Sequence, residues 1–299
     1  MILLKTWLRA ARLRTLPLSF SGILIGSAFA LNENFNFFIF SSCLIVTVLF
    51  QIISNFANDL GDAIKGVDDE TRIGPERAIQ SGLITKAQMQ KAIVFLCFLA
   101  LVTVLQLLIT IDLRRIELIF FLAFGLVAIW AAIAYTIGKK PYGYRALGDL
   151  MVFLFFGLLA VLGTYYLHLR RLDLEVLLIA FAIGALAVAV LNLNNMRDRE
   201  DDALKNKITM AVMLGVEKAK KYQILLLIVS LLMFLVGIAL SGRYWYFIAM
   251  LPLMRLVGHV NRIKQVENSR DFDPELKLVA ISSFMSSLLC FIIGLIVYF

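Results

Sequence analysis

The sequence predicts an all-α, multi-pass membrane protein, with about nine transmembrane helices around a central cavity. Of its 299 residues, 61% are hydrophobic, which is more apolar surface than one soluble core buries. Apolar stretches of about 20 residues, the length that spans a bilayer, recur along the whole chain with only short polar breaks. Residues 1–299 are therefore expected to form a single domain within the lipid bilayer.

Residues 1–14 precede the first apolar stretch and are expected to form an interfacial helix. Lys5, Arg9 and Arg12 recur at helical spacing, while Trp7 and Leu8 lie on the apolar side. A basic flank that only orients the first span is an interpretation that stays open. The first stretch lacks a small-residue cleavage pattern, so no cleavable signal peptide is expected.

Nine spans are then expected in chain order. They are 15–31, 37–57, 92–111, 116–137, 150–167, 174–195, 222–240, 243–261 and 278–298. The eighth is expected to be broken or tilted, because its apolar run ends at Met254 and the charged Arg255 comes directly after it.

The basic residues predict the orientation of these spans. With the N-terminus in the cytoplasm, 24 of the 29 Lys and Arg residues fall on the cytoplasmic side, as the positive-inside rule requires. The net charge of +8 therefore indicates topology, and no nucleic-acid partner is expected. No obligate protein partner is evident either. The expected cytoplasmic loops 58–91 and 196–221 carry most of the mixed charge, which is where chemistry is expected.

The first motif lies at the end of the second span. If that helix continues, Asn55, Asp59 and Asp62 share one face, with Asn58 at its edge. Carboxylates this close repel one another unless a cation compensates, and a hard divalent ion with oxygen ligands is the natural candidate.

The second motif lies at the end of the sixth span. Asn195, Asp198 and Asp202 again form one stripe on a helix, whereas Glu200 and Asp201 point to other faces. Alone, either motif would be interpreted as polar residues that mark the membrane boundary. Their equivalent positions predict two four-helix pseudo-repeats plus one further helix, with both motifs facing one cavity. Two such clusters would bind two Mg²⁺ ions and a diphosphate between them.

Basic residues are expected to complete this clamp, because Lys and Arg stabilise the charge on a departing diphosphate. The candidates are Lys65, Arg72, Arg77, Lys139, Lys140, Arg145, Arg197, Lys205 and Lys207.

These motifs resemble the signature of the UbiA superfamily of intramembrane prenyltransferases, in which Asn-Asp-x-x-Asp is paired with a later Asp-x-x-x-Asp. Here they are Asn58-Asp59-x-x-Asp62 and Asp198-x-x-x-Asp202. Segments 7–26, 58–85, 141–166 and 194–209 are similar to the branch that prenylates 1,4-dihydroxy-2-naphthoate. Gly66 stands where many members carry a third acid, a departure that this branch shares.

The resemblance implies transfer of a polyprenyl group from an allylic polyprenyl diphosphate to 1,4-dihydroxy-2-naphthoate. Loss of the carboxylate would give demethylmenaquinone, an intermediate of menaquinone biosynthesis, in a bacterial plasma membrane with both motifs cytoplasmic. It also implies that Asp68, or alternatively Asp69, is a further metal ligand. Tyr135 and Tyr142 would line the prenyl cavity, and Arg145, Arg72 or Arg77 would hold the acceptor carboxylate.

Two alternatives remain open from the sequence. Another aromatic acceptor, such as 4-hydroxybenzoate, would use the same diphosphate clamp. A membrane transporter is the alternative from a different class, because carboxylates within a membrane also mark ion pathways. Against a transporter, the acids cluster at one membrane end and no helix pair broken by Gly or Pro is evident.

Overall fold

The computed structural model describes residues 2–66 and 77–298. In these ranges the chain is helical and contains no strand longer than an isolated bridge between Arg145 and Ile208. The α-helices are α1 Ile2–Ala11, α2 Leu16–Ala28, α3 Phe37–Lys65, α4 Lys86–Thr110, α5 Arg115–Ala134, α6 Gly148–Val152, α7 Thr164–Leu169, α8 Leu174–Arg197, α9 Arg199–Leu204, α10 Met210–Ser241, α11 Arg255–Gln265 and α12 Phe272–Tyr298. Short 3₁₀ helices occupy Leu13–Thr15, Tyr142–Tyr144, Tyr244–Met254 and Ser269–Asp271, and a π-helix, Phe153–Gly163, joins α6 to α7.

Within the described residues, seven helical segments are long and apolar enough to cross a membrane. They are Phe37–Lys65, Lys86–Thr110, Arg115–Ala134, Gly148–Leu169, Leu174–Arg197, Met210–Ser241 and Ser269–Tyr298. The expected class, a multi-pass helical membrane protein, is therefore confirmed, whereas the expected count of nine is not.

The two expected spans that fall short are the first and the eighth. Helix α2 has only 13 residues, about 20 Å at the rise of an α-helix. In place of the eighth span, an 11-residue 3₁₀ helix containing Pro252 is followed at Arg255 by α11. A Pro inside the segment and the charge of Arg255 fit this interruption, which the sequence also indicated.

Local signals explain where the two motif-bearing regions begin and end. Asn36 caps α3 by accepting from the backbone of Phe38 and Ile39, and Gly66 ends it in the left-handed conformation at φ 66°. The helix therefore extends well into the loop expected at 58–91. Thr85 and Gln88 form the capping box that starts α4, and Thr209 caps α10.

Helix α8, which leads into the second motif, is the most buried of the seven long segments. In its apolar window 61% of the residues are buried, compared with 17% for α5. Helix α8 packs against α10, α12 and the π-helix. Helices α4 and α5 instead expose large side chains such as Phe95, Phe98 and Trp130, as expected for surfaces that face lipid. The second motif therefore directly follows the most buried helix of the bundle.

Helix α1 lies against the motif-bearing end of α3. The ring of Trp7 packs on Phe56 with centroids 5.3 Å apart, and Leu4 and Leu8 remain exposed. The chain then turns at Arg12, which adopts the left-handed conformation at φ 48°. This turn directs Arg12 toward the first motif.

Candidate active site

Asp59 and Asp62 lie one turn apart on the buried face of α3, and arginines neutralise both. Arg77 bridges them, with Nη1 paired to Asp59 and Nη2 2.5 Å from Asp62 Oδ2. Arg12 Nη2 also lies 2.5 Å from Asp59 Oδ1. These guanidinium groups offset two carboxylates that would otherwise repel each other in a low-dielectric environment.

The two asparagines of the first motif hold the surrounding chain in place. Asn55 donates a 2.8 Å hydrogen bond to the carbonyl of Ala11 at the end of α1. Asn58 accepts a 2.9 Å hydrogen bond from Thr136, which follows α5. Gly61 permits this approach, because a Cβ there would lie 2.7 Å from the Cβ of Thr136. The first motif is therefore fixed to both α1 and the end of α5.

Asp198 of the second motif is held by its neighbour Arg197. The guanidinium makes two hydrogen bonds to the carboxylate, of 2.7 and 2.8 Å, and a third of 2.6 Å to Asp273 on α12. A fourth, of 2.8 Å, reaches Asn194. In this arrangement Arg197 positions Asp198 and ties α8 to α12.

The stripe expected for Asn195, Asp198 and Asp202 is bent at its middle residue. Helix α8 ends at Arg197, Asp198 has backbone angles of φ −94° and ψ 5°, and α9 starts at Arg199. Asn195 and Asp202 are buried, whereas Asp198 is half-buried. The bend thus separates Asp198 from the buried face.

Asp202 forms a buried pair with Lys207. Lys207 Nζ lies 3.0 Å from Asp202 Oδ1. Asp202 Oδ2 is buried and has no hydrogen-bond partner among the described residues. Burial raises the pKa of Asp202, and Lys207 opposes that rise. Burial alone would lower the pKa of Lys207, but Asp202, Tyr135 and Asp62 together raise it, so the ammonium group stays charged.

Tyr144 brings the two motifs together. Its hydroxyl lies 3.3 Å from Asp62 Oδ1, and Lys65 Nζ lies 3.6 Å from the centre of its ring. Lys207 Nζ lies 5.9 Å from the same ring. The backbone of Ile208, next to Lys207, pairs with the carbonyl of Tyr144 and the amide of Ala146. One acidic and basic cluster therefore draws on both motifs.

The other candidates occupy varied positions. Tyr135 follows α5 and has Lys207, Asp202, Asp149 and Asp62 as electrostatic neighbours. Tyr142 packs its ring edge-on against Tyr135 and donates a 2.7 Å hydrogen bond to the carbonyl of Ala131.

Of the basic candidates, Lys139 and Arg145 are exposed. Asp68, Asp69 and Arg72 lie outside the described residues.

The residues present fit a magnesium ion only in part. Among the described residues, no three Asp, Glu, His or Cys side chains converge as a metal-binding group. The donor set of carboxylates and amides is nevertheless the one that Mg²⁺ prefers, and the buried Oδ2 of Asp202 has an unused acceptor position. The ligand roles of Asn58, Asp59, Asp62, Asp198 and Asp202 thus stay predictions.

Sequence reasoning did not identify three residues of this cluster. They are Arg12, Thr136 and Tyr144. Each reaches its motif partner across 47 to 82 residues of sequence, so helical spacing carries no signal for the contact. The only available signals were the basic character of residues 1–14 and the polar, aromatic composition of the segment after α5.

Comparisons with known proteins agree with this architecture. The UbiA prenyltransferase family matches residues 19–288. The 1,4-dihydroxy-2-naphthoate octaprenyltransferase of Haemophilus influenzae is 40% identical over 98% of this chain and 96% of its own length. The Escherichia coli protein of that name is 40% identical over 84% of this chain and 82% of its own length.

Solved structures show the same fold at lower identity. A UbiA homologue from Archaeoglobus fulgidus, bound to GPP and Mg²⁺, superposes with a TM-score of 0.67. The match covers 96% of this chain and 99% of that chain at 18% identity. The fold, the two motifs and the match over most of the sequence lead to one conclusion: the chain belongs to the UbiA prenyltransferase family.

Proposed function

We propose that this enzyme transfers a polyprenyl group from an allylic polyprenyl diphosphate to 1,4-dihydroxy-2-naphthoate, with loss of the acceptor carboxylate. The observation that carries the diphosphate half of this proposal is the single cluster built from both motifs around Tyr144. The acceptor half is supported by the names of relatives that are 40% identical over most of the chain. The product would be the demethylmenaquinone skeleton of menaquinone biosynthesis.

The cationic side chains of the cluster would bind the diphosphate. Lys65 and Lys207 approach the ring of Tyr144 from the two motifs, and Lys207 remains protonated because Asp202 stabilises its charge. As the carbon–oxygen bond of the allylic diphosphate breaks, its electron pair leaves with the diphosphate. Fixed positive charges stabilise that growing negative charge without having to reorganise.

Mg²⁺ would be held by oxygen ligands from both motifs, and two ions suit the two motifs. The proposed ligands are Asn58, Asp59, Asp62, Asp198, Asp202 and either Asp68 or Asp69. A bound Mg²⁺ supplies additional neutralisation of the diphosphate oxygens. Arg12 and Arg77 occupy the first pair of carboxylates in the structure, so metal binding would require these guanidinium groups to shift. They could then contact the diphosphate themselves.

The acceptor ring would attack the allylic carbon from within the membrane. A ring carbon forms the new carbon–carbon bond, and loss of carbon dioxide returns the electron pair of the broken carbon–carbon bond to the ring. The exposed Arg145 and the buried Arg77 are the described candidates for holding the carboxylate before it leaves. The surrounding apolar helices would limit the capture of the allylic electrophile by water.

An orientation with the N-terminus and both motifs in the cytoplasm completes the proposal. It is supported by the 24 basic residues that this orientation would place on the cytoplasmic side. The enzyme would then lie in the plasma membrane of a bacterium, where it meets a lipid-soluble polyprenyl diphosphate.

One assay tests the reaction and its acceptor together. Membranes that contain the protein are incubated with polyprenyl diphosphate and either 1,4-dihydroxy-2-naphthoate or 4-hydroxybenzoate, with Mg²⁺ or with EDTA. Mass spectrometry of the lipids should show prenylated naphthoquinol only in the Mg²⁺ sample. Prenylation of 4-hydroxybenzoate alone would refute the acceptor, and product that survives EDTA would refute the metal requirement.

A further inference from the structure

Asp149 is a buried carboxylate that the proposed function leaves without a role. It lies in the first turn of α6, at the start of a membrane-spanning segment, and is only 8% exposed. In the described part of the chain it forms no ion pair. Ionisable side chains inside a membrane protein are costly and are usually retained for function.

One oxygen of this carboxylate is unsatisfied. Tyr222 on α10 is an electrostatic neighbour of Asp149. Within the described residues, Oδ2 of Asp149 is buried and has no hydrogen-bond partner. A buried acceptor left without a donor destabilises the folded protein, so such an atom in a folded site points to a missing donor.

The position of Asp149 places it beside the cluster that both motifs form. The preceding residue, Gly148, lies against Tyr135, since a Cβ there would be 3.5 Å from the Tyr135 hydroxyl oxygen. Tyr135 in turn has Asp149, Asp202 and Lys207 as electrostatic neighbours. Asp149 therefore flanks the predicted diphosphate clamp on the side of α6, without belonging to either motif.

We propose that Asp149 is an acceptor-binding residue, and that its Oδ2 accepts a hydrogen bond from a hydroxyl group of the hydroxyaromatic acceptor. This inference rests on the proposed prenyl transfer to an aromatic ring. The contact would satisfy the unpaired oxygen, and it would orient the ring toward the allylic carbon at the neighbouring clamp.

The chemistry of the acceptor explains why a carboxylate suits this position. A hydroxyl group that donates to a carboxylate gains electron density on its oxygen, and the attached ring becomes a better nucleophile. A cationic side chain in this position would withdraw electron density from the ring. An anionic acceptor carboxylate would be repelled by Asp149, so the ring is expected to bind with a hydroxyl toward Asp149 and its carboxylate elsewhere.

The direct test compares Asp149→Asn with wild type in steady-state assays that vary each substrate separately. The amide keeps the size of the side chain but loses the charge that strengthens the hydrogen bond. We expect kcat/KM for 1,4-dihydroxy-2-naphthoate to fall by about tenfold to a hundredfold, while KM for the polyprenyl diphosphate stays within about twofold. Glu200→Gln, the same chemical change at an exposed carboxylate near the second motif, should leave both values unchanged.

Wild-type kcat/KM for the acceptor in Asp149→Asn would overturn the inference. A rise in KM for the polyprenyl diphosphate as large as the loss of kcat/KM for the naphthoate would also overturn the inference. Such a result would indicate that Asp149 has a general structural role. If Asp149→Asn does not fold, the wild-type enzyme provides the second test, using the two mono-O-methyl ethers of the acceptor. One ether should be prenylated far more slowly than the other, and equal rates with both ethers and the parent would refute the contact.

These outcomes are separate from failure of the proposed function. If the wild-type enzyme prenylates 4-hydroxybenzoate and not the naphthoate, the proposed acceptor is wrong. The same hydrogen bond is then tested with 4-hydroxybenzoate as the acceptor. Asp149→Asn should lower kcat/KM for 4-hydroxybenzoate, and the wild-type enzyme should prenylate its methyl ether, 4-methoxybenzoate, far more slowly.

Discussion

Tyr144 connects the two motifs at the scale of single residues. Its hydroxyl reaches Asp62 of the first motif, and its ring has Lys65 on one side and Lys207 farther away. A cation above an aromatic ring is stabilised by the electron density of the ring. The tyrosine thus holds two ammonium groups of like charge near each other before any diphosphate binds.

Replacing Tyr144 should separate the contribution of the ring from that of the hydroxyl. Tyr144→Leu removes both, and we expect KM for the polyprenyl diphosphate to rise by about twofold to thirtyfold, the range of a cation–π interaction. Tyr144→Phe keeps the ring and should change this KM by less than about threefold, because the lost hydrogen bond is long. Similar KM values for the diphosphate in Tyr144→Leu and in wild type would show that the ring does not position the lysines.

The site residues differ in how far the sequence could predict them. Asn55, Asp59 and Asp62 could be grouped because α3 continues unbroken through them to Lys65. The second stripe was only partly predictable, because neither Gly nor Pro marks the bend at Asp198, and Arg197 beside it contacts Asp273 in a distant helix. Arg12 and Tyr144 could not be assigned, since their contacts arise from packing and not from local periodicity.

Among the helices, the π-helix packs closely against α8, the helix that leads into the second motif. The π-helix crosses α8 where Gly157 faces Gly184, and a Cβ on Gly157 would lie 2.5 Å from the Gly184 Cα. That atom belongs to the backbone, so it cannot move aside as a flexible side chain could. Helix positions were predictable from hydropathy, but this contact and the short α2 were not, because hydropathy does not report how closely two helices approach.

Gly157→Ala should therefore destabilise the bundle although alanine favours helices. Overpacking of this kind costs about 1–3 kcal/mol, and the thermal unfolding midpoint in detergent should fall. Gly163→Ala is the matched control in the same π-helix, because its Cβ would meet Leu159 at 3.6 Å, an ordinary contact. Equal midpoints for the two variants would contradict the packing argument.

At the scale of the whole molecule, the described charges and helices define two polar ends. One end carries both motifs, and the other carries a network in which Arg171 and Arg243 pair with Glu33. The chain is an integral membrane protein, and the proposed orientation places the end that carries the motifs in the cytoplasm.

Cysteine labelling in intact cells tests this orientation. In a background without Cys43, Cys97 and Cys290, a cysteine is introduced at Lys86 on the motif end or at Arg115 on the opposite end, both exposed. A membrane-impermeant maleimide should label Arg115→Cys in intact cells and Lys86→Cys only after lysis, because the reagent reaches only the outer face. The reverse pattern would show that the motifs face outward.

A binding measurement tests whether the two motifs form one diphosphate site. Isothermal titration of the purified protein with a soluble isoprenyl diphosphate and Mg²⁺ gives a Kd for wild type, Asp59→Ala, Asp202→Ala and the control Glu200→Ala. We expect one binding event, with an affinity that either motif substitution reduces at least about tenfold and that the control leaves unchanged. Wild-type affinity in Asp59→Ala or in Asp202→Ala would contradict it, because that motif would then not belong to the site.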